Sequence, residues 1–433
     1  MNKPDLINAI HSILENKLCI PQISAFSPNA RLNQDLYLDS VLILQLIIQL
    51  ETDLGFNVPD NALTKDDFTT VASLVDFLLN IDSTVEVSPI PEEFEDIKVH
   101  CFVSCLCEII KADDRVDHRP FYFGVWDADV VLDGNGCISY HSEDINHDFF
   151  RHWYEKLYNV SVTPWYDKTI SKQANSKRLV SLLANKPDTR QIMVMLDMYR
   201  LPERENKFNQ NPFPHYVMLE QTSNPETWLM FDPDFRWEGH QEKSQVLQAI
   251  ASPAVDGGYY FDSQDIRPTS ILSVRDYFLA CFNKNNPMTD VVANIVSAYE
   301  NRHRANQNTS MLGQALAQLP VLAIRKYAYE HGLAYFWRAL DLEDSEFEAW
   351  CDVIEELVEN YKLIQYRGLK ISNSETTNEQ KNLAFDEIST LLAQQNEREF
   401  RIKARLWQVF QLWQSQHFPD TPLENHRTLE MNE

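Results

Sequence analysis

At 433 residues, 44 % of them hydrophobic, the chain has room for two or three domains, and no stretch approaches the ~18–20 consecutive apolar residues of a membrane span. A formal net charge of −26 argues against nucleic acid or an anionic membrane as a partner. The seven cysteines, at 19, 101, 105, 107, 137, 281 and 351, include no Cys-x-x-Cys pair, so neither a disulfide framework nor a zinc site is expected. The chain opens Met1-Asn2-Lys3-Pro4-Asp5, without the basic and apolar pattern of a signal peptide, and a cytoplasmic protein is expected.

An amphipathic stretch (Leu6, Ile7, Ile10, Ile13, Leu14) and a loop lead to Leu36-Tyr37-Leu38-Asp39-Ser40, where an apolar helix begins. Ile43, Ile47, Leu50 and Leu54 fall at i, i+4, i+7 and i+11 of that helix, a stripe that faces a core. Val41, Leu44 and Ile48 lie on another face, suited to docking with partner enzymes. Gly55-Phe56-Asn57-Val58-Pro59 ends the helix, and a further periodic run covers Val71 to Leu78. At the helix start, Ser40 can cap free backbone N–H groups, and a phosphodiester there would meet the positive end of the dipole. The segment resembles an acyl or peptidyl carrier domain. That resemblance implies an all-α four-helix domain over 1–79 with 4′-phosphopantetheine attached to Ser40. It also implies two partners, a phosphopantetheinyl transferase and an adenylating enzyme that loads the arm. The family usually has glycine two residues before the aspartate; here that position is Tyr37. Residues 80–97, with Pro89, Pro91 and an acidic run, read as a flexible, self-repelling linker.

From 98 to 272 the pattern is mixed α/β. A helix is expected over Phe102–Ala112 with Cys101 in its first turn, then strands at Phe121–Trp126 and Val130–Leu132. The turn Asp133-Gly134-Asn135-Gly136 leads into Cys137–Tyr140, and helical runs follow at Phe149–Leu157 and Ser171–Leu183. Gln191–Asp197 reads as an apolar strand, and His215–Glu220 with Thr227–Asp232 as a hairpin. From 273 to 418 the reading is helical, with runs at Asp290–Asn301, Met311–Leu319, Val321–Leu340, Ser345–Leu363 and Glu379–His417, the last expected to be broken. A polar, flexible tail occupies 419–433.

The hairpin permits a geometric inference. A turn centred between Ser223 and Asn224 places His215 opposite Asp232, where directly opposed β-carbons stand about 4.5–5.5 Å apart. An aspartate there could orient an imidazole. Cys101 opens a helix, and a helix N-terminus and a neighbouring imidazole such as His100 both favour a thiolate. The backbone N–H at such a position is placed to bond a developing oxyanion. The order Cys…His…Asp is the papain-like arrangement. Spacing alone favours a blander reading, a buried thiol and an ordinary sheet histidine.

His100-Cys101, Phe121-Tyr122-Phe123-Gly124, Met193-Val194-Met195-Leu196-Asp197, Pro214-His215-Tyr216-Val217 and Phe231-Asp232-Pro233 resemble the N-terminal domain of the butirosin biosynthesis protein H family. The similarity spans about 99–240 and extends to a helical C-terminal part. Members of that papain-like family take an acyl group from a carrier protein onto a cysteine and pass it to an amine. The resemblance implies Cys101 as nucleophile, His215 as general base and acid and Asp232 as orienting carboxylate, with Asp197 and Asp234 nearby.

Other features carry blander readings. Cys105 and Cys107 suit packing within the Cys101 helix. His141, Asp144, His147 and His152 lack the His-Glu-x-x-His spacing of a zinc site, and Asp127, Asp129, Asp133 and Gly134 lack that of a calcium loop; no metal is expected. The aromatic-rich helix from Arg325 through Tyr327, Tyr329, Tyr335, Phe336 and Trp337 to Arg338 suits a core, with the lining of an acceptor pocket as the alternative, and Phe235–Gly239 suits a cleft mouth or a structural loop. The expectation is a multidomain protein: carrier, linker, papain-like α/β (α+β) domain and helical region. It would move an acyl or aminoacyl group to a small-molecule amine in natural-product or siderophore-like biosynthesis. Hydrolysis by the same triad, or a scaffold that only carries cargo, remain open.

Overall fold

The computed structural model describes residues 3–18, 20, 22–38, 40–54, 58, 69–79, 100–128, 130–141, 147–201, 204, 210–374 and 376–419. The linker 80–97, the tail beyond 419, Asp39, Asp129, Asp144 and the side chains of Ser40, Val41 and Leu44 lie outside that description.

Three α-helices of the front module are described: α1 (Lys3–Asn16), α2 (Ser40–Leu54) and α3 (Val71–Leu79). Leu6, Ile10 and Leu14 of α1 meet Leu46, Ile47 and Leu50 of α2 and Val71, Leu74, Val75 and Leu78 of α3 in one apolar cluster. The stripe read from the sequence is therefore the buried one, with Ile43 and Leu54 at its margin.

The middle of the chain builds α4 (Cys101–Lys111), the two-stranded ribbon β1 (Val131–Leu132) and β2 (Ile138–Ser139), α5 (Asp148–Tyr158), β3 (Thr163–Pro164) and α6 (Lys172–Asn185). It continues through β4 (Arg190–Asp197), β5 (Pro214–Gln221), β6 (Thr227–Asp232), β7 (Trp237–Glu242), α7 (Lys243–Ile250) and β8 (Gly258–Asp262). Six of these strands form an antiparallel sheet in the order β3-β8-β4-β5-β6-β7. Its two faces follow the period of two. Met193, Met195, Tyr216 and Met218 pack with α4 and the helical region. Ile192, Val194, Leu196, Val217 and Leu219 pack with Leu179 and Leu183 of α6 and Val246 and Ile250 of α7.

The expected strand Phe121–Trp126 is instead a 3-10 helix, Arg119–Gly124. Pro120 sets a helical φ at its first turn. Its rings find aromatic neighbours: Phe123 stacks on Phe336 at 5.7 Å and Trp126 on Tyr329 at 4.9 Å. Strand-like composition here signalled burial rather than extension.

The helical region comprises α8 (Ile271–Cys281), α9 (Pro287–Arg304), α10 (Leu312–Ala315), α11 (Leu319–Ala323), α12 (Ala328–Leu340), α13 (Asp344–Ser372) and α14 (Asn378–His417). The expected run Val321–Leu340 is divided by a 3-10 stretch at Ile324–Tyr327. The expected break in the last helix does not occur: α14 has no Gly or Pro and runs 40 residues from a Thr377–Gln380 capping box. One apolar cluster extends from Phe102 of α4 to Trp413 of α14, so the helices and the α4 face of the sheet share a core.

Candidate active site

The site starts from the way α4 begins. His100 is extended (φ −172°, ψ 110°), and the helix starts abruptly at Cys101. Asp234 secures that start: its Oδ1 accepts the His100 N–H at 3.1 Å and the Ser104 hydroxyl at 2.8 Å. A carboxylate opposite the first turn also suits the helix dipole. The first turn leaves N–H groups without intrahelical acceptors, and half-buried Cys101 sits among them.

His215 is the second residue of β5 and Asp232 the last of β6, so the hairpin brings both to one end of the sheet. The register differs from expectation by two residues: Met218 pairs with Phe231 and Leu219 with Met230. Thr227 N–H donates to the Asn224 carbonyl, and the Asn224 side chain accepts the Glu226 N–H. Pro225 thus takes the second position of the turn, which its fixed φ favours, and moves the centre along the chain. A shift of two preserves the face, so His215 and Asp232 become diagonal neighbours rather than opposed ones. Their side chains still meet, with Nε2 2.8 Å from Asp232 Oδ1. Cys101 lines the same narrow cleft as the ring and lies near enough to help raise its pKa.

Two further contacts fix Asp232. Arg204 Nη2 donates to Oδ2 at 2.8 Å and Phe235 N–H to Oδ1 at 3.3 Å. The Arg204 guanidinium lies 3.8 Å over the Trp237 ring. Burial alone would raise the Asp232 pKa, but His215 and Arg204 outweigh it and hold the carboxyl below its ordinary value. For His215 burial lowers and the Asp232 carboxylate and Cys101 raise, and the net position is well above an ordinary imidazole. Arg204 was not foreseen: it comes from a loop, and neither spacing nor periodicity marks it.

The remaining imidazoles behave differently. Burial, with help from Arg325 and His147, pushes His100 well below the usual range. The ring next to Cys101 is therefore neutral at physiological pH and does not favour a thiolate in the way expected from the sequence. Burial likewise takes His147 down to about 3. Both line a narrow cleft with Cys101, His215, Tyr140 and Arg325, whose free volume is about 50 Å³. Tyr140 donates to the Pro214 carbonyl at 3.1 Å. Arg325, from the helical region, donates to the carbonyls of Ala128 and Tyr140, each at 3.2 Å.

The other sequence candidates are placed as follows. Asp197 Oδ1 accepts Phe213 N–H at 2.9 Å and Oδ2 the Ser252 hydroxyl at 2.8 Å, which braces the chain entering β5. Cys105 is buried against the Tyr216 carbonyl (3.6 Å), and burial pushes the Cys107 thiol up to about 12. His141 and His147 line the cleft while His152 is exposed. Among the described residues no group of three His, Cys, Asp or Glu is placed to hold a metal ion. Asp127 is held by Lys326 and Lys403, and Asp133 caps its own turn by accepting Asn135 and Cys137 N–H groups. Tyr329 and Phe336 are core residues, whereas Phe235 lies 5.0 Å from the His215 ring and joins the cleft.

Residues 8–78 match the family described as phosphopantetheine attachment site. Residues 96–266 match the DUF6005 N-terminal domain and 272–427 the DUF6005 C-terminal domain. A petrobactin synthase of Bacillus anthracis is 44% identical over 318 residues, 73% of this chain and 95% of that one. The chain belongs to the petrobactin synthase family. Its front module is similar to the acyl carrier protein AsbD of Bacillus anthracis, 36% identical over 88 residues, 20% of this chain and 97% of that one. The acyl carrier protein of Rubrobacter xylanophilus is 30% identical over 79 residues, 18% of this chain and 94% of that one. No solved structure matches.

The cofactor is 4′-phosphopantetheine, and a carrier domain implies a phosphopantetheinyl transferase and loading enzymes. The front module fits the group. Ser40 is the first residue of α2, where free N–H groups and the dipole favour a phosphodiester. Tyr37, where the family usually has glycine, has φ 54°, the left-handed region that glycine enters most readily. No helix among the described residues is long and apolar enough to cross a membrane.

Proposed function

We propose that the chain is a carrier-fused cysteine acyltransferase of siderophore biosynthesis, with a papain-like catalytic domain. The carrier would occupy 1–79, the tether 80–97, the catalytic domain 98–272 and the helical region 273–418. Ser40 is the attachment residue, Cys101 the nucleophile, His215 the acid and base, and Asp232 the residue that orients it. One observation carries the reading: a buried imidazole bonded to a charged carboxylate at 2.8 Å, in the same narrow cleft as a thiol at a helix N-terminus. Kinship with a petrobactin synthase and fusion to an AsbD-like carrier supply the acyl-transfer context.

When attached, the pantetheine arm supplies a thiol that carries the acyl group as a thioester. Cys101 sulfur, having ceded its proton to His215, attacks the acyl carbonyl. Backbone N–H groups of the first turn of α4 face the oxyanion that forms. The proton on His215 goes to the departing thiol as the carbon–sulfur bond breaks, which leaves an acyl-Cys101 ester of sulfur. An amine then attacks that carbonyl and gives a proton to His215. Collapse releases the amide, and Cys101 recovers a proton from the imidazole. Asp232, itself fixed by Arg204, keeps the ring in one orientation through both steps.

The test uses the full chain in its pantetheinylated, acyl-loaded form with and without added amine. Wild-type protein yields an amide by mass and, when amine is withheld, an acyl adduct on the Cys101 peptide. Cys101→Ala retains its acyl group on the carrier. Continued amide formation by that variant, or a free acid as the only product of wild type, would sink the proposal.

A further inference from the structure

We propose that the face of α13 formed by Tyr366, Leu369 and Lys370 is the dock for the chain's own carrier domain, so that the acyl group is delivered in cis. The inference rests on the acyltransferase reading and names the donor for that site.

Ile48 of α2 is 5% exposed, yet it belongs to no part of the carrier's own core. It is buried by Tyr366, with Leu369 packed beside it, in a separate small cluster. The sequence placed Ile48 on the face of α2 suited to partner enzymes, eight residues after Ser40. At 1.5 Å rise per residue that is about 12 Å along the helix. Ile48 of that face is therefore covered by the helical region of the same chain.

The dock is joined to the cleft by a short bridge. Leu369 packs against Gly313 of α10 so closely that an added Cβ would lie 2.9 Å from its Cδ2, and Gly368 packs against Leu316. The same bridge continues through Gln318, whose side chain accepts the Tyr140 N–H at 3.0 Å, to Ile324 and Arg325 in the cleft wall. The carrier's seat on α13 and the wall of the cleft are thus joined through one segment, 312–325.

Charge agrees. Residues 1–79 hold ten acidic against four basic side chains. Lys370 follows Tyr366 by four residues, which places a cation beside the apolar contact. An apolar anchor beside a cation suits an acidic module whose contact must form and release.

The experiment compares two donors. One is the full chain pantetheinylated from acyl-coenzyme A, so that no loading enzyme needs to recognise the variant. The other is a soluble N-acetylcysteamine thioester, which needs no dock. Acylation of Cys101 by the small donor checks the acyltransferase reading alone; its absence in wild type would remove that reading. For Ile48→Asp and Lys370→Glu, the ratio of carrier-donated to small-donor transfer falls at least tenfold. A ratio that is unchanged or raised would overturn the dock, the raised one by marking the contact as a resting position that must be left. As a second measurement, Ser40→Ala protein is mixed with acyl-loaded Cys101→Ala protein at about 10 μM. Delivery in cis makes the mixture slower than wild type by about 100-fold, given a millimolar effective concentration for the tethered module. Transfer in the mixture at the wild-type rate would overturn the proposal as well.

Discussion

Asp232 holds two cationic groups at once, and that is the residue-scale feature on which the proposed chemistry depends. His215, raised above its ordinary value, contributes stability that is complete below about pH 6.5 and lost as pH rises through its folded value. Asp232, lowered, contributes stability present above about pH 4 and lost as pH falls through its folded value. Asp232→Asn removes both contributions and leaves the Arg204 and His215 cations without their carboxylate partner. The expected destabilisation is about 3–5 kcal/mol, largest at mildly acidic pH where both partners are charged and smaller as pH rises through the His215 value. Urea denaturation across pH reads this; a cost that grows steadily with pH would contradict it. Arg204→Met tests the positioning role separately: the optimum for Cys101 acylation shifts on the pH axis, which mere loosening of a loop would not produce. Cys101, His215 and Asp232 were legible because each sits at an element boundary that leaves a mark in sequence. Arg204 was not, because an arginine in a loop is indistinguishable from any solvated one until Trp237 and Asp232 close around it.

At the scale of elements, the site is a helix start clamped to the far end of a hairpin. Asp234 makes that clamp with one oxygen, receiving both the His100 N–H and the Ser104 hydroxyl. Asp234→Ala loses a cap and strands a buried hydroxyl, and is expected to cost about 1–3 kcal/mol. It should also slow acylation of Cys101 by the small thioester donor, since the thiol's position depends on where α4 begins. Asp234→Asn, which keeps an acceptor, should recover most of the stability. Equal losses in the two variants would point to charge rather than to the hydrogen bonds. The hairpin itself was readable, but its register was not. Alternation of side chains fixes the face, whereas the offset along the strand depends on which residue the turn chemistry places second, here Pro225. The misread strand at Phe121–Trp126 has a related cause, for composition reports that a segment is buried without saying whether a neighbouring strand exists. In α14 the expectation of a break overlooked that nothing in Asn378–His417 would cause one.

For the whole molecule, the carrier has an apolar cluster of its own, while the sheet's α4 face and the helical region share another. The second unit is also joined by buried charges. Lys326 lies 3.0 Å from Asp127 and 2.5 Å from Glu399, Lys403 lies 2.8 Å from Asp127, and Tyr329 donates to Glu399 at 2.9 Å. Asp127 follows the 3-10 segment beside α4, and Glu399 and Lys403 are on α14, so the cluster ties the site-bearing half to the last helix. Burial would lower the Lys326 pKa, but Asp127 and Glu399 more than compensate and keep it charged. Calorimetry should therefore show two transitions, a smaller one for the carrier and a larger one for everything after the linker. Lys326→Met leaves two buried carboxylates with less than their full complement of cations. It is expected to lower the stability of the larger transition by about 3–5 kcal/mol while the smaller one keeps its midpoint. If both transitions moved together, the carrier's contact with α13 would be strong enough to make the chain one cooperative unit. A dock that must release its cargo-bearing module between turnovers cannot be that strong, so the same thermogram constrains delivery and stability alike.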